Sequence, residues 1–448
     1  MQNKTKYSGW LLAGLYNGLQ KVSIPVFGVV STMILAHGAL TKEEMGVWSL
    51  FLVITSFVEL IRQALVKTSL IKHMNHAGEE EQRYVLSAAF LINSIVTVVL
   101  IIIMIFLSSW LSDVLQAPGL KPMLYIFLGG MVLLIPFSHF EWILYSKSAF
   151  KGLFWVYFFR QGLGLLFMII YLFFYEKISL EVLVVLFNAG ILAGILVAYR
   201  YIQPYLTRTF VLKKDWLSRL WNFGKYVFGS GISTLVFTNA SQLMLSPILG
   251  STAYTASQGI ANRVINLADI PSQVLSDILY PKSAKKENAE NKERIKYFYE
   301  KTVGAALSIN IPVILLVMIF PRLIILILGG YQYLDAVPYL RLIAITGLFL
   351  TFLKYFGVII DSTGRPQVNF VVITIIALIH AGLTYFFIKN YGFIGAAYAA
   401  IISNVIGFVI SQVILYRYFG VNFIKCFKYA IAFYPEMTRL FFDKIKGR

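Results

Sequence analysis

The chain has 448 residues, 58% hydrophobic and only 13% charged, with a mean hydropathy of +0.74; this excludes a soluble globular domain and indicates a polytopic membrane protein. A net charge of +18 would suggest nucleic acid in a soluble protein, but in a membrane protein the position of the charge decides its meaning, and no nucleic-acid partner is expected. A single cysteine, Cys426, excludes an internal disulfide, and five scattered histidines lack ligand spacing, so neither a metal nor a cofactor is expected.

The N-terminal MQNKTKYSGW reads as a short cytoplasmic lead into the first span. Apolar runs then predict twelve α-helical spans, at about 9–36, 46–71, 84–108, 122–146, 152–175, 179–200, 223–249, 254–281, 299–328, 336–360, 368–389 and 394–418. Lys and Arg gather before the first span and after each even-numbered one. Examples are Arg208, Lys213, Lys214 and Arg219 after the sixth, and Lys282, Lys285, Lys286, Lys292, Arg294 and Lys296 after the eighth. The alternate segments hold mostly single charges such as Lys42, Lys121, Lys177 and Lys389. That bias places both termini in the cytoplasm.

The predicted fold class is an all-α integral membrane protein of twelve transmembrane helices in two six-helix lobes around a central cavity. Residues 1–200 form the N-terminal lobe, 201–222 a basic cytoplasmic linker broken by Pro204, 223–418 the C-terminal lobe, and 419–448 a basic amphipathic cytoplasmic tail. Each half opens alike, with a polar-dotted span, a short outer loop (HGALTKEEMG, then GSTAY) and a second polar-striped span. Six is even, so both halves enter from the same side and the repeat is parallel.

Within the first span Lys21 lies roughly 18 Å into an apolar helix, too deep to snorkel easily, with Asn17 one turn before it and Pro25 one turn after. It is either a fixed cation for a ligand or the partner of a carboxylate such as Glu59. In the second span Glu59, Arg62 and Gln63 share a face, and Glu59 and Arg62 are spaced for an intrahelical pair. Arg160 with Gln161, and Lys354, fall nearer the cytoplasmic ends, where long side chains reach the headgroups.

The eighth span, AYTASQGIANRVINLADIPSQVLSDILYPKSAK, is the most polar stretch of membrane length. Gln258, Asn262, Asn266, Asp269, Gln273 and Asp277 recur at steps of four or three and form one stripe on a continuous helix, with Ser272 and Ser276 at its edge and Arg263 just off it. Lipid satisfies none of these groups, so the stripe turns to interhelical hydrogen bonds or to a water-filled passage. Asp269 and Asp277 are candidates for ion coupling.

After the twelfth span the tail mixes Phe, Tyr and Ile with Lys425, Lys428, Arg439, Lys444, Lys446 and Arg448, and Pro435 interrupts it. That composition fits an amphipathic segment on the anionic inner leaflet, or a disordered basic tail. No stretch matches a phosphate-cradling Gly-rich loop, a zinc-type histidine pair or a Gly-x-Ser-x-Gly elbow. The outer loops are short for a membrane glycosyltransferase or polysaccharide polymerase. A transporter is expected, not an enzyme.

Three stretches carry a resemblance: AYTASQGIANRVINLADIPSQVLSDILYPKSA, the DSTGRPQ turn after the tenth span, and NYGFIGAAYAAIISN entering the twelfth. Over essentially the whole chain they are similar to the polysaccharide transporters, the Wzx-type lipid-linked oligosaccharide flippases of the multidrug/oligosaccharidyl-lipid/polysaccharide superfamily. The resemblance implies a two-lobed flippase that carries an undecaprenyl-diphosphate-linked oligosaccharide across the bacterial cytoplasmic membrane by alternating access. The resemblance implies a surface polymer such as O-antigen, capsule, exopolysaccharide or a teichoic chain, without choosing among them. It also implies membrane lipids as surroundings and polysaccharide polymerase and other assembly proteins as partners. Lys21 and Arg263 would then meet the diphosphate, and Asn17, Gln258, Asn262, Asn266 and Gln273 the glycan. Drug-exporting MATE-type cousins typically carry a carboxylate in the first span. This first span has Lys21 and no acid, which disfavours an ion-coupled small-molecule antiporter.

Overall fold

The computed structural model describes residues 2–76, 78–206 and 210–445, without the side chains of 2–11, 13, 75, 76, 79, 223–227, 277, 278, 281, 286, 289 and 436–445. Arg208, Lys446 and Arg448 therefore lie outside the described residues, as do the side chains of Asp277, Lys286, Arg439 and Lys444. The described residues are overwhelmingly α-helical, the form in which a chain satisfies its own backbone groups within hydrocarbon.

In chain order the helices are α1 (Gln2–Ile34), α2 (Lys42–Arg62), α3 (Thr68–His76), α4 (Glu79–Val114), α5 (Leu120–Ser146), α6 (Phe150–Phe174), α7 (Leu180–Ile202), α8 (Lys214–Leu249), α9 (Ala253–Ala268), α10 (Ile270–Ser283), α11 (Lys286–Ala289), α12 (Lys292–Ile319), α13 (Pro321–Gly329), α14 (Ala336–Ser362), α15 (Pro366–Tyr391), α16 (Gly395–Phe419) and α17 (Phe423–Ile445). Ten stretches among the described residues are long and apolar enough to cross a membrane, and one of them, Pro366–Phe419, holds both α15 and α16. The predicted eighth span is not among the ten. It is divided into α9 and α10.

Local chemistry sets the ends. Thr41 and Glu44 form a reciprocal capping box that starts α2, Ser179 caps α7 through the Val182 N–H, and Asn291 caps α12 through the Arg294 N–H. Gly250 and Gly420, at φ of 75° and 66°, end α8 and α16 in the left-handed conformation that glycine adopts without cost. Pro435 does not stop α17, contrary to the expectation that it interrupts the tail; a mid-helix proline removes one hydrogen bond, and this helix continues past it.

The chain forms two compact units, Met1–Leu235 with Leu245–Gly259, and Val236–Met244 with Ile260–Arg448. In the first, α5 packs on α4 and α7, and α6 on α1 and α7. Its core centres on Phe51, Phe127, Phe137 and Trp142, all fully buried, with Phe51 edge-on to Phe127 at 5.4 Å. In the second, α14 packs on α12 and α16, and α15 on α16, around Tyr299, Phe352, Tyr355, Phe356 and Ile359. The tail helix α17 packs along α12. Cys426 and Ala430 face inward, the Asn422 N–H donates to Glu300 at 2.9 Å, and the Tyr434 hydroxyl donates to the Ser308 carbonyl. By contrast Ile95, Val98, Val99, Ile102, Ile103 and Phe106 of α4 are all exposed, an apolar surface suited to lipid.

The outer turn after α8 is seated within the first unit. Thr252 Oγ1 donates to the Glu43 carbonyl at 2.9 Å, Ser246 Oγ donates to the Leu115 carbonyl at 2.6 Å, and a Cβ at Gly46 would overlap the Thr252 carbonyl. Gly46→Ala is therefore expected to destabilise the protein by about 1–3 kcal/mol, as overpacking does. Gly129→Ala, where a Cβ meets nothing within 4 Å, is expected to be neutral or slightly stabilising. Thermal melting of the two purified variants beside the parent protein checks both.

Candidate functional site

The first unit carries a network of charges through its interior. Glu59 of α2 pairs with Arg160 of α6 at 2.6 Å. Arg62 turns the other way: Nε donates to Thr97 Oγ1 at 2.9 Å, and Nη2 to Asn93 Oδ1 at 2.9 Å and the Leu134 carbonyl at 2.7 Å. The expected Glu59–Arg62 pair is thus replaced by two separate attachments. A helix spacing permits such a pair but does not require it when better partners stand on neighbouring helices. Arg160, expected to reach the headgroups, is only 8% exposed and stacks over Phe137 at 4.6 Å. Interior carboxylates hold a guanidinium more strongly than a headgroup layer it must stretch to reach.

A second set was not singled out by sequence. Lys67, in the wide helical turn of Gln63–Lys67 between α2 and α3, pairs with Glu141 of α5 at 3.0 Å and lies 4.1 Å from the Tyr145 ring centroid. Tyr157 donates to Glu141 at 2.8 Å, and Gln20 donates to the Tyr145 hydroxyl at 2.9 Å. Glu141 was the available signal, since a carboxylate inside an apolar span demands a partner.

In the second unit the polar stripe is broken, not continuous. Pro271 has no N–H for the Leu267 carbonyl and its ring crowds that position, so the helix stops at Ala268 and restarts at Ile270, with Asp269 between them at φ −83° and ψ −11°. Polar groups gather on the break. Lys354 of α14 makes an ion pair with Asp269, Gln273 donates to the same carboxylate at 3.2 Å, and Tyr355 donates to the Ser272 carbonyl at 3.0 Å. Asn310 of α12 donates to Ser272 Oγ at 2.9 Å and to Thr351 Oγ1 at 2.8 Å. Lys354, like Arg160, is drawn to an internal carboxylate instead of the membrane surface.

The sequence-selected residues are distributed as follows. Lys21 and Asn17 are half-buried in α1, and Lys21 interacts within the protein. Gln258, at 2% exposure, is buried and interacts within the protein. Asn262 and Arg263 are half-buried, and Asn266 and Gln273 are exposed, while Ile260 and Val264 on the other side of α9 are buried. Arg263 has no hydrogen-bond or ion-pair partner among the described residues. It is not paired with Asp269, whose carboxylate is taken by Lys354. The Asp277 side chain lies outside the described residues. Among the described residues no group of three or more His, Cys, Asp or Glu is placed to hold a metal.

An uncharacterized membrane protein of Methanocaldococcus jannaschii is 24% identical over 220 residues, 49% of this chain and 43% of that one, so the match spans under half the length of that relative. The lipopolysaccharide biosynthesis protein WzxC of Escherichia coli is 21% identical over 403 residues, 89% of this chain and 77% of that one. Among solved structures, an inward-facing multidrug resistance MATE family transporter of the MOP superfamily superposes with a TM-score of 0.76 at 14% identity, covering 89% of this chain and 98% of that one. The lipid II flippase MurJ does so with a TM-score of 0.71 at 14% identity, covering 94% and 90%. These structural likenesses show that the chain has the fold seen in MOP superfamily transporters, and its many long apolar helices make it a multi-pass membrane protein. The model of the polysaccharide biosynthesis protein family matches residues 38–338, and the chain belongs to that family.

Proposed function

We propose that this protein flips a diphosphate-linked oligosaccharide lipid across the bacterial cytoplasmic membrane by alternating access, for assembly of a surface polysaccharide. The observation that carries the reading is Arg263: a half-buried guanidinium, with no partner among the described residues, one helical turn before the exposed amide of Asn266 on the span that also exposes Gln273. Hydrocarbon tolerates such a group only where water or an anionic ligand reaches it. A diphosphate supplies the charge, and the amides supply donors and acceptors for sugar hydroxyls. Family membership, the WzxC relative and the fold shared with a lipid II flippase point the same way.

In this reading the ten apolar stretches count as twelve crossings, because Pro366–Phe419 supplies two and the broken α9–α10 supplies another. The basic segments are cytoplasmic and so are both termini. Arg263 binds the diphosphate, and Asn262, Asn266 and Gln273 meet the glycan. Lys21 and Asn17 are assigned the same chemistry in the first unit. The protein is a transporter and performs no bond-breaking chemistry.

Cysteines at Asn266 and Gln273 are expected to react with small water-soluble thiol reagents in native membranes, and cysteines at Ile260 and Val264 to remain protected. Native Cys426 is buried and contributes little background. Equal protection at all four positions would remove the wet face from the argument.

A diphosphate about 4 Å from a guanidinium gains roughly 4 kcal/mol at an effective dielectric of 20, offset in part by desolvation. Arg263→Gln is therefore expected to lower export at least tenfold and Arg263→Lys to keep most of it. Both are expected at normal membrane abundance, because Arg263 leaves no carboxylate stranded. Surface glycan in a complemented deletion strain, with mass spectrometry of accumulated diphosphate-linked lipid, reads the outcome. Full export by Arg263→Gln would sink the assignment.

A further inference from the structure

We infer that Lys354 is a built-in cation: its ammonium fills the cation site that the α9–α10 break creates, so this position takes no mobile ion. The break supplies the parts from which membrane transporters commonly build sites for Na+ or H+. Pro271 deprives the Leu267 carbonyl of its usual donor, and Asp269 adds a full carboxylate two residues on. A carboxylate close to a carbonyl without its donor, in a stretch of membrane length, requires a counter-charge. It has one already. Lys354 reaches from α14 to the Asp269 carboxylate, which also accepts from Gln273.

The surroundings hold the lysine's own helix in place for this role. Tyr355, the next residue, donates to the Ser272 carbonyl in the first turn of α10, and Thr351, one turn before Lys354, accepts from Asn310, which also donates to Ser272. The ammonium is thus tethered by α14 to the same turn whose charge it neutralises. Asp269, selected from sequence for ion coupling, is in this account committed to an internal partner.

Thermal melting of the full-length purified protein in sodium, potassium, lithium or choline chloride at equal ionic strength tests this without any transported substrate, so its failure is distinct from failure of the flippase reading. The unaltered protein should melt at the same temperature in all four salts, as should Lys354→Arg. Lys354→Ala and Lys354→Met should melt several degrees lower in choline and recover, saturably, in one of the small cations. The double variant Asp269→Asn with Lys354→Met, which removes both charges, should lose that recovery. Saturable stabilisation of the unaltered protein by a small cation, lost in Asp269→Asn, would overturn the inference. So would the failure of sodium, potassium and lithium alike to restore Lys354→Ala and Lys354→Met.

Discussion

Hydrocarbon offers no hydrogen bonds, and this constraint governs the charged side chains that the described spans carry into their interior. Within the first unit the answer is internal pairing. Glu59 holds Arg160 and Glu141 holds Lys67, while Arg62 and Asn93 bind the carbonyls of Leu134 and Ile135, the two residues before Pro136. Pro136 weakens the hydrogen-bond ladder of α5. The side chains of α2 and α4 brace the helix where the proline has loosened it. Breaking one member of such a set leaves its partner buried and charged, which costs more than the intact pair contributes.

Within the second unit the answer divides. The polar groups on the α9–α10 break are satisfied by α12 and α14, through Asn310, Thr351, Lys354 and Tyr355. Those a little way along the stripe, Asn266 and Gln273, stay exposed. Exposure in α4 is apolar, at Val98, Ile102 and Phe106, and suits acyl chains. Exposure in α9–α10 is mixed, with the amides of Asn266 and Gln273 and the side chains of Tyr254, Val274 and Tyr280.

Much of this was legible in the sequence. Apolar runs located the long apolar stretches, though the expected eighth span is not among them, and the recurrence of Asn262, Asn266 and Gln273 marked a side of α9–α10 more open than that of Ile260 and Val264, which are buried. The break was less visible, because the stripe survives a helix interruption that only Pro271 signals. Partner choice was not legible. Glu59 and Arg160 are 101 residues apart, and Asp269 and Lys354 are 85 apart. Helical spacing ranks near neighbours such as Arg62 for Glu59, while packing between helices supplies the partner that wins. Gln258 belongs to the stripe by period, yet its position early in α9 encloses it.

Partner choice in turn decides which cation is left for a ligand. A guanidinium already 2.6 Å from a carboxylate, like Arg160, presents a dipole, and an arriving anion gains there only by displacing the resident carboxylate. Coulomb attraction from such a pair is short-ranged, whereas an unpaired guanidinium keeps its full field in the same low-dielectric surroundings. Among the described residues Arg263 is in that second condition, because Lys354 and not Arg263 neutralises Asp269. The pairing of Asp269 with Lys354 therefore does two things at once: it neutralises a carboxylate within the α9–α10 span, and it leaves Arg263 without that carboxylate as a partner.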